Sequence, residues 1–117
     1  MKAAVYCENG APDVPRYEDL ADPICLPNGV VIRVEAINIE GGDTLSRWSG
    51  ALTCTPHIVG YQAAGEIVEV GSEVAHLRVG QKVATVNVDG SHAELRSVPP
   101  RATPGQSRTA SAYAKPR

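Results

Sequence analysis

The sequence predicts a mainly β domain, a barrel or sandwich carrying one or two short helices, and three observations lead there. Apolar and polar residues alternate through several short segments, which is the two-residue period of a half-buried strand. Turn signals bearing glycine, proline or asparagine separate those segments at intervals of about ten residues. Only residues 41–50 suit a helix, so the repeated strand and long helix that build a parallel sheet are missing.

KAAVYC (2–7) is a short apolar run closed by Glu8-Asn9-Gly10, a strand followed by a turn. Pro12, Pro15, Pro23 and Pro27 then leave little room for a helix, and YEDL (17–20) reads as a short edge strand. Asn28-Gly29 is a hairpin signal that opens GVVIRVEAINI (29–39), the strongest strand of the chain. Alternation places Val31, Arg33 and Glu35 on one face and Val30, Ile32, Val34 and Ala36 on the other. In GGDTLSRWSG (41–50) Asp43 reads as a helix N-cap, Asp43 and Arg47 stand i, i+4, and Gly50 is the stop.

Residues 60–71, GYQAAGEIVEVG, are strand-like but glycine-rich. The glycines lie five and six residues apart with no helix after them, so they form no phosphate loop. Turns and close backbone approach, where a strand bends in a barrel, are their expected role. QKVATVNV (81–88) follows a turn at Gly80, SHAELRSV (91–98) follows Asp89-Gly90, and no internal repeat is visible.

At 117 residues the chain is one domain at most and buries roughly two thirds of its unfolded surface. A net charge of −2 argues against a nucleic-acid or anionic-membrane partner, which calls for a basic patch. With no Phe and one Trp, a stacking platform for single strands is not expected either. Cys7, Cys25 and Cys54 form no CxxC pair and are expected to be free thiols of a reducing cytosol. No stretch approaches the roughly 18 apolar residues of a membrane helix, and no leader pattern precedes Lys2, so a cytoplasmic protein is expected.

Charge and composition change near residue 100. Residues 1–100 hold 7 basic and 13 acidic side chains, whereas 101–117 hold four basic ones and no acid. RATPGQSRTASAYAKPR also lacks Leu, Ile, Val, Met and Trp, so burial there cannot offset the cost of ordering it. The domain is expected to cover residues 1–99, and the basic tail 100–117 to be disordered.

Taken in order, MKAAVY, PNGVVIRVEAINI, GGDTLSRWSG, PHIVGYQAAGEIVEVGSEV, HLRVGQKVATV and GSHAELRSVP resemble the amino-terminal catalytic domain of medium-chain dehydrogenases and reductases. That superfamily holds zinc alcohol dehydrogenases and zinc-free quinone oxidoreductases. The resemblance spans about residues 1–99 and implies a partly open, GroES-like β-barrel. It also implies a nicotinamide bound in a cleft against a second, Rossmann-type domain. Zinc members carry Cys-x-x-Asp after the long strand and Gly-His-Glu at the glycine-rich one; aligned here, those positions hold Glu40, Tyr61 and Gln62. Zinc favours thiolate and imidazole in a tetrahedral site, and His57 has no partner at ligand spacing, so no zinc is expected. The zinc-free branch implies hydride transfer from NADPH to a quinone or enone, with the cofactor carrying the reactivity.

The resemblance names Tyr61 and Glu40 as candidate catalytic residues, Thr44, Trp48 and Gln62 as pocket residues, and Tyr61 and Thr44 as cofactor contacts. Tyr61, Gln62, Glu40 and Trp48 each have a structural alternative. Tyr61 either meets the substrate oxygen or nicotinamide, or is an amphipathic core tyrosine. Gln62 either orients Tyr61 or a water, or is a buried amide bonded to backbone. Glu40 is either a proton relay or an exposed strand end, and RWSG is one residue longer than the family's R-x-G, so Trp48 is either pocket or core. His76 and His92 are expected at the surface.

No strand followed by a glycine-rich phosphate turn exists in the chain, so the Rossmann domain is expected to be absent. A truncated or frameshifted product, inactive alone, is the expectation. A non-catalytic GroES-like binding module and a nonfunctional fragment are the alternatives. The implied partner is a small carbonyl or quinone substrate, and an oligomer is possible in the full-length family.

Overall fold

The longest apolar alternations, residues 30–38 and 62–70, pair with each other and form the centre of the molecule. In the computed structural model the described residues are 1–50, 52, 56–86, 90–99 and 111–114. Their strands are β1 (Lys2–Tyr6), β2 (Arg16–Asp19), β3 (Val30–Asn38), β4 (His57–Ile58), β5 (Gln62–Val70), β6 (Lys82–Val86), β7 (Leu95–Val98) and β8 (Ser111–Ala114). One helix, α1 (Gly41–Ser49), follows β3. The order β7-β3-β5-β6-β8 makes a five-stranded sheet and β2-β1-β4 a three-stranded one, every pairing antiparallel. No helix among the described residues is long and apolar enough to cross a membrane.

Val30, Ile32, Ile67, Val83 and Val98 form the core, with Val70, Val74 and Leu77 packed on it. Each such side chain stabilises the fold by about 1.5–3 kcal/mol when fully buried. The expected two-face alternation of β3 fails at its start, where Val30, Val31 and Ile32 are all buried. The β3–β5 register shifts between Val31 and Ile32, and again between Val34 and Ala36. A bulge of this kind re-aims side chains and bends a strand. On the outer face Arg33 pairs with Glu66, and Lys82 with Glu35 and Glu66.

Among the described residues the two sheets are open and do not close into a barrel, consistent with the expected partly open, GroES-like fold. They are joined where β1 meets the loop before β7, through an Ala3–Ala93 bridge and Ala4 N–H donating to His92 O at 2.9 Å. The two-residue β4 lies on that same side of β1, opposite β2, with Tyr6 opposite His57. It is too short to have an alternation of its own, which is why the sequence shows no sign of it. The Asn28-Gly29 turn closes with Gly29 N–H donating to Leu26 O, and Cys25 Sγ donates to Leu26 O and Gly29 O beside it. Burial pushes the Cys25 thiol up.

Most of the expected disordered tail lies outside the described residues, as do Cys54 and Asp89. Within that tail, Ser111–Ala114 is a strand paired with β6, Val83 opposite Ala114 and Val86 opposite Ser111. An open sheet edge offers unpaired backbone donors and acceptors to any extended segment, and this pairing needs no apolar side chain.

Candidate active site

The region expected to carry function is built where α1 packs against the entry to β5. Two glycines open the helix, and its N-cap is Glu40 rather than Asp43. Asp43 is the third helical residue, and its Oδ2 accepts the Glu40 N–H at 3.0 Å. Helical backbone at Gly41 and Gly42 starts the helix three residues early, so the carboxylate reaches back instead of capping forward. Its other oxygen, Oδ1, is buried without a hydrogen-bond partner. The expected Asp43–Arg47 pair does not form. Arg47 instead donates through Nε to Gly10 O at 3.2 Å and lies over the Trp48 ring at 5.6 Å.

The far end of α1 is held by Asn9. Its Nδ2 donates to Ser46 O, Arg47 O and Gly50 O at 2.9, 3.2 and 3.0 Å, carbonyls at the helix C-terminus, of which Ser46 O also accepts the Gly50 N–H at 2.9 Å. Gly10 N–H adds a bond to Arg47 O at 2.9 Å. The turn after β1, read from sequence only as a turn, thus fixes the helix.

Tyr61 joins the helix to the sheet. Its hydroxyl lies 2.8 Å from Ser46 Oγ, and its ring leaves so little room that a Cβ on Gly42 would sit 3.3 Å from Cε2. Its carbonyl accepts from Arg96 Nη1 at 3.3 Å, and the same nitrogen donates to Thr85 Oγ1 at 2.7 Å. Gly60 sets the approach: its φ is +102°, and a Cβ there would stand 2.1 Å from Ser91 Oγ. Only glycine adopts that conformation at no steric cost.

Successive residues of an extended chain point to opposite faces, and this divides the expected site. Tyr61 faces α1, whereas Gln62 lines a 220 Å³ cavity on the sheet. There Gln62 Oε1 accepts from Asn38 Nδ2 at 3.2 Å, so Gln62 is bonded to neither Tyr61 nor the backbone. Thr44 is exposed and donates its Oγ1 hydrogen to Gly41 O at 2.7 Å. Trp48 is 55% exposed and therefore not core. Glu40 is half-buried at the cap. Tyr61 is hydrogen-bonded through its side chain to neither Thr44 nor Glu40.

The residues missed in the sequence are Asn9, Asn38, Ser46, Thr85 and Arg96. Arg96 is 3% exposed, and the spacing Arg96, Val98 on one strand face was its available signal. His76 is exposed as expected, but His92 is half-buried, its imidazole against Gly60. The loop before β7 folds back under Gly60, which places it there. His57 is 7% exposed with its ring 5.0 Å from that of Tyr6. Among the described residues no three of His, Cys, Asp and Glu are grouped to hold a metal ion.

With this geometry in place, the comparisons with known proteins are direct. Residues 26–106 match the family model of the alcohol dehydrogenase GroES-like domain. The chain is 40% identical over 70 residues to L-threonine 3-dehydrogenase of Cutibacterium acnes, covering 56% of this chain and 20% of that protein. It is 35% identical over 82 residues to sorbitol dehydrogenase of Bombyx mori, 65% of this chain and 23% of that one. Among solved structures, quinone oxidoreductase of Pseudomonas syringae pv. Tomato DC3000 superposes with a TM-score of 0.79 at 29% identity, covering 91% of this chain and 34% of that one. Escherichia coli quinone oxidoreductase complexed with NADPH gives 0.77 at 25%, covering 83% and 30%. The chain thus spans between a fifth and about a third of the length of these proteins. It belongs to the alcohol dehydrogenase GroES-like domain family, the amino-terminal domain of the medium-chain dehydrogenases and reductases.

Proposed function

We propose that this chain is the catalytic-domain portion of a zinc-independent, NADPH-dependent oxidoreductase of small quinones or activated carbonyls. The observation that carries the reading is the engagement of Tyr61 and Gln62, at the positions where zinc relatives have His and Glu. One is bonded to Ser46 and the other to Asn38, so both serve as hydrogen-bonding groups. Neither side chain belongs to a metal-ligand set, and zinc does not fit this site.

When bound, NADPH supplies the hydride. The described residues fit only its nicotinamide end. They contain no strand, glycine turn and helix to hold a pyrophosphate, and two of their cavities, of about 220 and 320 Å³, lie at or below the low end of the roughly 300–1,000 Å³ of drug-sized sites. Tyr61 is assigned the substrate oxygen. This role uses the one of the two orientations allowed by the hydroxyl pair in which Ser46 Oγ–H donates to the phenolic oxygen; the phenolic hydrogen is then directed at an acceptor, and that hydrogen bond strengthens as negative charge develops there. Thr44 stands exposed on the same helix as a cofactor contact, Trp48 as a wall, and Glu40 as a carboxylate at the mouth. Ribose and phosphate contacts belong to a second domain, so this chain alone turns over little.

Titration of the purified chain tests this. Weak NADPH binding that perturbs Thr44 and Tyr61, together with no stoichiometric zinc uptake, is expected. A tightly held zinc ion, or NADPH-induced changes that spare both residues, would overturn the assignment.

A further inference from the structure

A second cavity, of about 320 Å³, lies between the β1–β2 hairpin, β3 and the loop before β7. Its described lining includes Lys2, Tyr17 and Glu94, with Ala4, Val34 and Ile37 among its walls. No described lining residue belongs to α1 or β5, and the function proposed above does not use this cavity. We infer that it binds a small organic monocation, a primary ammonium group carried on a short arm by an apolar ring.

Glu94 is the fixed element. Its backbone N–H donates to Lys2 O at 2.9 Å and its carbonyl accepts the Val34 N–H at 2.8 Å. Its Oε1 accepts the Lys2 backbone N–H at 2.8 Å. Bonds to β1 and to β3 thus hold the residue from both sides, and Oε2 keeps lone pairs for a ligand donor. A carboxylate held in this way loses little freedom when a ligand arrives.

The surrounding charges select the sign of the ligand. Lys2 Nζ donates to Asp19 Oδ2 at 2.5 Å and stands over the Tyr17 ring, 5.8 Å from its centroid. Lys2 and Asp19 therefore cancel, and Glu94 leaves one negative charge uncompensated. An anion would meet that charge beside a lysine that is already paired. A monocation neutralises it through a charge-assisted N–H···O⁻ bond. The ring has its place too: Tyr17 and Ile37 are 72% and 46% exposed, and a ring laid across them over Ala4 removes apolar surface from water. Small-molecule sites start at roughly 300 Å³, so one ring on a short arm is the size that fits.

Phenethylamine, phenethyl alcohol and phenylacetate share a ring and differ in charge, and none contains a nucleotide, so the outcome does not depend on the cofactor reading. They are titrated into isotope-labelled full chain at about pH 8, above the ordinary imidazole range and below that of an alkylammonium. Phenethylamine should shift the Tyr17 ring resonances and the backbone signals of Ala4, Ala93 and Glu94, and added salt should weaken its binding. Phenethyl alcohol should bind roughly tenfold more weakly, having lost a charged hydrogen bond, and phenylacetate more weakly still. Glu94→Gln keeps an acceptor for the Lys2 N–H and should abolish the preference for the amine. Asp19→Asn removes the other negative charge and should reduce that preference, which keeps the test open if Glu94→Gln fails to fold. Equal binding of the alcohol, tighter binding of phenylacetate, shifts confined to α1 and β5, or a preference that survives both substitutions would overturn the inference.

Discussion

Replacing Gly65 by Ala inserts one methyl group against a backbone that has nowhere to go. The added Cβ would lie 2.0 Å from Arg33 O and 2.9 Å from Ile32 Cγ2, where ordinary contact begins at 3.4 Å. The obstacle is a carbonyl of the paired strand, next to the bulge at Val34 and Ala36, so no rotamer change relieves it. Overpacking of a rigid site costs about 1–3 kcal/mol, occasionally more, and the upper end applies here. Stiffening of the unfolded chain returns about 0.4–1 kcal/mol, for a net loss of about 2–3 kcal/mol. That is a large share of the roughly 5–15 kcal/mol of a domain this size. Gly41→Ala is the control: nothing lies within 4 Å of its Cβ, and in a helix the change should stabilise by about 0.5–1 kcal/mol. Urea denaturation with unchanged m-values reads both. A loss below about 1 kcal/mol at Gly65, or the same sign at both glycines, would show that close strand approach is not why glycine occurs there.

Three other consequences follow from the contacts. Tyr61→Phe and Ser46→Ala should each destabilise by about 0.5–1.5 kcal/mol, and the double variant by less than their sum; strict additivity in urea titrations would mean that the hydroxyl pair is not formed. Asn9→Ala should lower stability by about 1–2 kcal/mol with a loss of helical circular dichroism, by analogy with losing a cap, and Asn9→Asp should do no better, because a carboxylate donates no N–H. The Lys82 ammonium holds the Glu35 carboxyl below its usual range, and Glu35 in turn raises Lys82 above 10.5. The Glu35 contribution is therefore present above its unfolded value and lost as pH falls through the lower folded one. That of Lys82 is present below 10.5 and lost as pH rises through its higher folded value. The urea midpoints of Lys82→Met and the parent should therefore differ at neutral pH, converge in acid and in strong alkali, and draw together in high salt; a gap that persists at low pH would contradict the pairing.

Much of the fold was legible because strands and turns write themselves locally. The alternation in residues 29–39 and 60–71 and the Asn28-Gly29 and Gly80 turns mark β3, β5 and their neighbours without reference to the rest of the chain. The helix was legible too, but not its cap, since Gly41 and Gly42 signal a turn until the structure shows them helical. β4 was not legible at two residues.

What the sequence by itself determined was the class of the chain: a mainly β fold of short strands and turns with one helix. What only the tertiary structure decided was which polar side chains meet. Asn9 meets Ser46 across 37 residues, Asn38 meets Gln62 across 24, and Arg96 meets Tyr61 across 35. Such partners share no local period. They come together because burying Val30, Ile32, Ile67, Val83 and Val98 brings their strands into register, and each polar group then bonds to whatever that register sets beside it.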